Sequence, residues 1–397
     1  MATSAIVHRV SATISAHAWS PDRKQLAVCP NSNDVRVYSN VGSKSTDDWE
    51  LSHTLEGHDL LVTSIDWCPV TGRIVTCSQD RNAFVWTFNS STGEWTKQMV
   101  LLRINRAATS CRWSPNGKKF AVSSGSNTVC ICSFDEVSDW WVSQAITRFK
   151  STVNAVEWHP NSMLVAAVGC DYHCRIAAAW VTDIGDTPDV GPFGSAEGLE
   201  FGDMIVDRSI SSDTTTAAWI NAAAWSPSGN CLAYATQASD VCFLSARGGA
   251  VTEQTIRVRG LPALSLAFID DKTLVAAGFD MNPAIFRHPG DGWVTSGEWS
   301  FDTFADKKPE TGKAGTGGGS AFSAARSMFA SKVATGRAAA ASSEKLWTRH
   351  EAAIVEVRAL TKPAGKAAGA AAAAAGSAVT GSFSTAGSDG RIVVWTM

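Results

Sequence analysis

The stretch TSIDWCPVTGRIVTCSQDRNAFVW (63–86) contains the pattern that decides the fold. A first apolar run ends in Trp67 and is followed by a proline-containing turn. Thirteen residues after this tryptophan comes Asp80, in a second turn, and Trp86 ends the run that follows. Short runs rich in Val, Ile and aromatic residues, separated by turn residues, predict antiparallel β-strands.

This pattern is repeated along the 397-residue chain. Further copies lie around Trp19, Trp113, Trp158 and Trp225, and weaker ones around Phe268 and Val357, which gives seven units. The first four units are spaced by 48, 46 and 45 residues, the length of a four-stranded propeller blade. One blade cannot bury both of its faces, so the units are expected to stack around an axis. The sequence therefore predicts an all-β fold, a seven-bladed WD-repeat β-propeller formed by residues 1–397 as a single domain. The N-terminal SAIVHRV (4–10) belongs to no unit and is expected to complete the last blade and close the ring.

Three intervals are longer than the blade length requires. We predict a loop insertion at 184–212, a protruding arm inserted between the last two blades at 302–345, and an Ala-rich surface loop in the last blade at 362–378.

The arm contains the segment SAFSAARSMFASKVATGR (320–337). Its apolar residues recur at helical spacing, which predicts a helix at about 320–335 with one apolar face. Phe322, Met328 and Phe329 are candidate partner-binding residues, because so short a helix is marginal in water unless this face docks on another surface. Folding of the helix back on its own propeller is the alternative.

Composition narrows the class of partner and the compartment. The net charge of -3 gives no general attraction to nucleic acid. No run approaches the ~18 apolar residues of a membrane span, and the N-terminus lacks the apolar region of a secretory signal. The ten cysteines are therefore expected to be reduced, in the cytosol or the nucleus.

The role of Asp80 has two interpretations. His58, Thr76, Asp80 and Trp86 are spaced so that imidazole, hydroxyl, carboxylate and indole form one buried hydrogen-bonded tetrad, which satisfies a carboxylate inside the blade. The alternative makes His58 and Asp80 a general acid–base pair. The structural interpretation is favoured, because Asp recurs at the same position, Asp389 included, in units that lack the histidine.

Other candidate catalytic or metal-binding motifs are incomplete. Cys170, His173 and Cys174 straddle a predicted turn without a second ligand pair, so packing is favoured over a zinc site. The Gly-rich run 310–320 lacks the order of a phosphate-binding loop, and Ser195 lacks the first glycine of a nucleophile elbow. The sequence predicts no enzyme, no metal and no cofactor.

Several longer strings resemble one particular WD-repeat family. They are RIVTCSQDRNAFVW (73–86), LLRINRAATSCRWSP (101–115), DWWVSQ (139–144), STVNAVEWHPNS (151–162), GCDYHCRI (169–176) and LVAAGFD (274–280). These strings are similar to the propeller subunit of the actin-related protein 2/3 complex, which nucleates branched actin filaments. INRAAT and DWWVS are not general propeller consensus, so the resemblance is specific.

The resemblance implies a non-catalytic scaffold in a hetero-heptameric complex. Its implied partners are the actin-related proteins, the small scaffold subunits, the actin filament and the acidic tails of nucleation-promoting factors. The family's arm between the last two blades corresponds to 302–345.

Exposed residues inside the family-specific strings are the candidate partner-binding residues on the propeller: Arg81, Asn82, Arg103, Arg106, Trp140 and Trp141. Arginine pairs well with carboxylates. The two adjacent tryptophans are expected to point to opposite faces of a strand, so that at most one belongs to the core. Stabilisation of the fold is the alternative role for each of these residues.

A free WD-repeat adaptor, such as a ubiquitin-ligase substrate receptor or a chromatin-binding propeller, is the competing function. It shares the fold but requires neither the INRAAT and DWWVS strings nor the arm.

Overall fold

The computed structural model describes residues 4–43, 45–210, 218–258, 260–288, 300–303, 348–360 and 381–397. The chain divides into two units. One comprises Met1–Phe304 and His350–Met397, and the other is Ala305–Arg349, of which only Thr348 and Arg349 are described. The first unit contains seven four-stranded antiparallel sheets.

Six sheets are built from consecutive strands, which we number as blades 1 to 6. Blade 1 contains β2 (Ala16–Trp19), β3 (Gln25–Cys29), β4 (Asp34–Ser39) and β5 (Glu50–Glu56), and blade 2 contains β6 (Val62–Trp67), β7 (Ile74–Ser78), β8 (Ala83–Asn89) and β9 (Glu94–Val100). Blade 3 contains β10 (Ala108–Trp113), β11 (Lys119–Ser124), β12 (Thr128–Asp135) and β13 (Trp140–Ile146), and blade 4 contains β14 (Val153–Trp158), β15 (Leu164–Gly169), β16 (His173–Ala178) and β17 (Met204–Ser209). Blade 5 contains β18 (Ile220–Trp225), β19 (Cys231–Thr236), β20 (Asp240–Arg247) and β21 (Ala250–Arg257), and blade 6 contains β22 (Ala263–Asp270), β23 (Thr273–Gly278), β24 (Ala284–Arg287) and β25 (Ser300–Thr303). Within the described residues, three short 3-10 turns lie at Thr46–Asp48, Thr182–Ile184 and Gly191–Phe193.

The seventh blade joins the two ends of the chain. It contains β26 (Ile354–Ala359), β27 (Ser382–Gly387) and β28 (Arg391–Thr396), and its fourth strand is β1 (Ser4–Arg9). β1 pairs antiparallel with β28, from Ser4 opposite Thr396 to Arg9 opposite Arg391. The predicted seven-bladed propeller, closed by the N-terminal strand, is confirmed.

The apolar core is divided among the boundaries between blades. Each of the seven clusters of buried apolar side chains combines residues from two neighbouring blades. Trp67 and Trp86 of blade 2, for example, share a cluster with Val35 and Val37 of blade 1. The recurring tryptophan is therefore a core residue, and stacking of the blades buries the faces that a single blade leaves exposed.

A charged cluster connects the first strands of four blades, some of which are not neighbours. Arg112 on β10 donates to Glu157 on β14 at 2.7 Å and to Glu356 on β26 at 3.2 Å. Arg358 on β26 contacts Asp66 on β6 and Glu356, both at 2.8 Å. Because the first strand of every blade faces the axis of the ring, this cluster of five side chains spans the central channel. We call it the channel cluster.

Two predicted insertions begin or end inside strands. Residues 204–209 of the predicted 184–212 loop form β17, and residues 302 and 303 of the predicted arm belong to β25. Both errors have one cause, because the outermost strand of a blade has few buried positions and so a weak apolar signature. The predicted arm helix and the Ala-rich loop at 362–378 lie outside the described residues.

None of the helices within the described residues has the length and apolar character needed to cross a membrane.

Candidate interaction surface

The tetrad predicted around Asp80 is assembled inside blade 2. His58 Nδ1 lies 2.8 Å from Asp80 Oδ2, and His58 Nε2 lies 2.8 Å from Thr76 Oγ1. Trp86 Nε1 donates to the same hydroxyl at 3.0 Å. The side chains of His58 and Asp80 are only 1% and 6% exposed, so the tetrad is an interior structure of the blade.

The remaining acceptor positions of Asp80 are taken by its surroundings. The backbone N–H of Asp59 donates to Oδ2 at 3.0 Å, and that of Asn82 donates to Oδ1 at 2.9 Å. Burial lowers the pKa of His58, although Asp80 partly opposes this effect. A saturated carboxylate and a buried imidazole that favours its neutral form suit a structural role better than proton exchange with a substrate.

Blade 7 contains a second tetrad that the sequence did not reveal. His350 Nδ1 lies 3.2 Å from Asp389 Oδ1, and His350 Nε2 lies 2.7 Å from Thr385 Oγ1. Trp395 Nε1 donates to Thr385 Oγ1 at 2.9 Å. Asp389 therefore does have a matching histidine, and the premise that it lacks one was wrong. The spacing could have revealed this histidine, since His350 precedes β26 by four residues, as His58 precedes β6. The inserted segment 362–378 lengthens the distance from His350 to Asp389, so the repeat spacing was not recognised.

In blade 4 an arginine takes the place of the histidine. Arg175 donates to Asp171 Oδ2 at 2.6 Å and to Asp207 at 3.2 Å, and its guanidinium lies over the ring of Phe149. Of the residues weighed for zinc, His173 lies 2.5 Å from Asp207 Oδ1 and Cys174 is buried in the cluster between blades 4 and 5. Within the described part of the chain, no three potential metal-ligating side chains lie together.

Strand direction separates the two ends of the ring. In every blade, the turn between its second and third strands lies at the same end as the link to the next blade, because neighbouring strands are antiparallel. We call this the linker end, and the other the opposite end. In blade 2, the turn between β7 and β8 is hydrogen-bonded to the link that leads from blade 1 into β6. Gln79 N–H donates to Leu61 O, and Ser78 Oγ donates to Leu60 O.

Arg81 occupies a position that the fold itself requires. Its backbone has φ 73°, and one residue with positive φ lies in the same turn of each blade. These residues are Asn31, Arg81, Asn127, Tyr172, Ser239, Met281 and Gly390. The left-handed backbone at this position is thus common to all seven blades, whereas the other six blades have a different residue in place of the exposed arginine. Asn82 is only partly exposed, and its backbone is held by Asp80.

The predicted arginines lie in two loops of blade 2 at the linker end. Arg103 and Arg106 lie in the link from β9 to β10, and both are exposed, as is Arg81 in the adjacent turn. Ser126 Oγ accepts from the backbone N–H of Arg106 at 2.8 Å and from that of Asn105 at 3.0 Å, which fixes the INRAAT segment. Arg81, Arg103 and Arg106 therefore form an exposed basic arc on a braced backbone.

Large apolar side chains are also exposed at the linker end. They are Leu60, Leu61, Leu101, Trp219, Leu261 and Phe279. All six lie in loops between strands, so no blade core covers them. Exposed apolar groups and exposed arginines at the same end of a fold are typical of protein-binding surfaces, and sequence reasoning missed all six apolar residues because loop residues have no periodicity.

The two adjacent tryptophans have different environments. Trp141 is 6% exposed, packs against Trp113 and Phe120, and donates from Nε1 to Gln98 Oε1 at 3.3 Å. Trp140 is 52% exposed and begins β13, at the opposite end of the ring from the basic arc. Trp141 is therefore a core residue, and Trp140 does not belong to the same surface as the arginines. Phe322, Met328 and Phe329 lie outside the described residues.

Fold and surface together define a class of protein. The chain is a WD-repeat β-propeller, and its WD domain, G-beta repeat matches cover residues 49–87, 103–133 and 143–176. Its tetrads lie in the interior of the blades, and the loops of its linker end carry an exposed basic arc and exposed apolar side chains.

Comparison with whole proteins identifies the family. Actin-related protein 2/3 complex subunit 1B of Arabidopsis thaliana is 36% identical over 390 residues, which cover 98% of this chain and 95% of that protein. Subunit 1 of Schizosaccharomyces pombe is 33% identical over 405 residues, with both chains covered completely. Subunit 1A-A of Xenopus laevis is 38% identical over 283 residues, covering 71% of this chain and 73% of that protein. This chain belongs to the family of actin-related protein 2/3 complex subunit 1.

Proposed function

We propose that this chain is a non-catalytic scaffold subunit of an actin-related protein 2/3 complex and supports the nucleation of branched actin filaments in the cytoplasm. The observation that carries the proposal is similarity over the whole length of the chain, from the ring-closing strand to the last blade. Its polar interior supports a scaffold, because the tetrad carboxylates are bound by groups of their own blades.

The partners proposed for this subunit are two actin-related proteins, the small scaffold subunits, actin and the acidic tails of nucleation-promoting factors. The linker end supports protein binding, because it combines exposed apolar side chains with a basic arc whose backbone is braced. A rigid surface loses little conformational entropy on binding. The predicted arm helix adds a second proposed contact, with actin.

Affinity capture of the full chain from its own cells tests the function directly. We expect two actin-related proteins and the small subunits to be recovered in equal amounts with the chain, and the purified assembly to nucleate branched filaments. Recovery of a cullin-type ligase or of histones in place of these partners would instead support a free adaptor and would contradict the proposal.

The basic arc is the proposed binding site for acidic tails. We expect the double variant Arg103→Glu/Arg106→Glu to weaken binding of an acidic nucleation-promoting peptide by about tenfold, since each reversal replaces an attraction with a repulsion. The assembled complex would be titrated with a labelled peptide in a fluorescence-anisotropy experiment. The difference should shrink at high salt, because exposed charges are screened.

Lys118→Glu/Arg247→Glu is a matched control. Both residues are exposed and lie at the opposite end of the ring, so the control changes the net charge equally without touching the basic arc. Equal weakening by both double variants would show that only overall charge matters, and the basic arc would then not be the site.

A further inference from the structure

The ring is closed at the boundary between blades 7 and 1, and this boundary has the smallest apolar cluster. Among the described residues it contains seven buried apolar side chains, whereas the other six boundaries contain ten to eighteen. It is also where the ring would open if β1 separated from β28, because β1 is covalently continuous with blade 1.

A chain of polar side chains crosses this boundary. Trp19 Nε1 donates to Ser384 Oγ at 2.9 Å, and Ser384 Oγ lies 2.9 Å from His17 Nε2. His17 Nδ1 lies 3.1 Å from Glu356 Oε2, which also accepts from the His17 backbone N–H at 2.7 Å. His17 and Trp19 belong to blade 1, and Ser384 and Glu356 belong to blade 7. We call these four residues the closure tetrad.

The closure tetrad has the same four chemical groups as the tetrad around Asp80. Each contains an indole, a hydroxyl, an imidazole and a carboxylate in the same order. The difference is in topology, because His58 and its partners lie in and beside one blade, whereas the closure tetrad joins residues up to 367 positions apart.

The hydrogen-bond pattern assigns the protons. The ionised Glu356 carboxylate can only accept, so neutral His17 has no proton on Nε2, which accepts from the Ser384 hydroxyl; that hydroxyl in turn accepts from the Trp19 indole N–H. His17 then carries its proton on Nδ1 and donates it to Glu356. A second proton on Nε2 would face the Ser384 hydroxyl, whose own proton would then need a new acceptor, so protonation of His17 disrupts the tetrad.

We propose that the closure tetrad is an acid-sensitive clasp that holds the ring closed, and that proton uptake by His17 opens the boundary between blades 7 and 1 before the rest of the propeller unfolds. This inference concerns the fold of the chain and stands apart from the proposed function. It rests on the small apolar cluster, the position of the tetrad and the order of its protons.

Burial of His17 sets the direction of the pH dependence, and the charged groups around it modify the effect. Glu356 and Arg358 on β26 and Arg112 on β10 act on His17, whereas Ser384 and the β3 partner Val28 are neutral. Burial lowers the pKa of His17, Glu356 opposes this effect, and the two arginines add to it. The unfolded chain therefore takes up a proton near pH 6.5 that the closed ring resists. The clasp is at full strength above that pH and is weakened as the pH falls.

Hydrogen–deuterium exchange of the full chain tests the clasp. Exchange rates, corrected for the intrinsic effect of pH, would be compared at about pH 7.5 and about pH 5.5. We expect peptides from β2, β27 and β28 to exchange at least about fivefold faster at the lower pH, while peptides from β11 and β15 change little. His17→Gln should abolish this difference, because glutamine does not titrate.

His58→Gln is the matched control, since it removes the same imidazole from a tetrad inside the ring. It should alter peptides of blade 2 and leave the pH response of the boundary intact. Ser384→Ala is a milder second variant, which should raise exchange of β2 and β27 several-fold already at about pH 7.5. A uniform response of all blades to pH, a pH response that persists in His17→Gln, or unchanged exchange in Ser384→Ala would each overturn the proposal.

Discussion

Replacement of Glu356 by alanine is expected to lower the free energy of unfolding by about 3–5 kcal/mol, the usual cost of removing one partner from a buried ion pair. Glu356 is 6% exposed and accepts from His17, Arg112 and Arg358. Although burial alone would raise it, Arg358, His17 and Arg112 hold the pKa of Glu356 well below its usual range. The variant would leave two guanidinium groups and an imidazole without their shared acceptor.

Chemical denaturation at neutral pH, followed by tryptophan fluorescence, measures this loss. Glu94→Ala serves as the control, because Glu94 is exposed on β9, and its removal is expected to change stability by no more than about 0.5 kcal/mol. A loss below about 1 kcal/mol for Glu356→Ala would show that the channel cluster compensates internally, against our expectation.

Lys119→Met is the second change with a large expected effect, again about 3–5 kcal/mol. The Lys119 amine is fully buried, contacts the Asp186 carboxylate and donates to Ala179 O at 2.8 Å. It also lies over the ring of Trp158. Burial lowers the pKa of Lys119, and Asp186 opposes this effect. Without the amine, Asp186 becomes a buried carboxylate whose charge has no partner.

Asp186 belongs to the segment between β16 and β17, so the loss should also loosen this segment. Denaturation and limited proteolysis would both report it. The double variant Lys119→Met/Asp186→Asn should recover most of the stability, because the amide is uncharged and still accepts from Val181 N–H. Lys118→Met, which removes the exposed neighbouring lysine, should have little effect. If the two lysine variants were equally stable, the buried ion pair would not stabilise the fold.

The sequence predicted those features that each repeat contains within itself. The strand–turn pattern around Trp67 and Asp80, its recurrence at nearly constant spacing and the blade 2 tetrad are all local, since fewer than thirty residues separate His58 from Trp86. Outer strands were predicted less well. β17 and β25 were partly assigned to loops because an edge strand packs only one side against its blade and so shows little apolar alternation.

The exposure of several residues in the candidate surface was predicted, while their role in binding stays a prediction. Arg81, Arg103 and Arg106 are exposed at one end, as the family-specific strings suggested, and only one of Trp140 and Trp141 is buried. The exposed apolar residues at the same end of the ring were not predicted, because their common location depends on which loops share that end.

The number of blades, the strand that closes the ring and the residues of one tetrad could all be predicted from the sequence, because hydrogen bonds and packing contacts that recur in each blade require the same residues to recur. Only the tertiary structure showed that Arg112 meets Glu356 across the channel, that Lys119 pairs with Asp186, and that His17 bonds Ser384 between the two ends of the chain. These contacts occur once each, between residues from different blades. The closed ring brings these residues together from different blades, so the contacts leave no periodic pattern in the sequence.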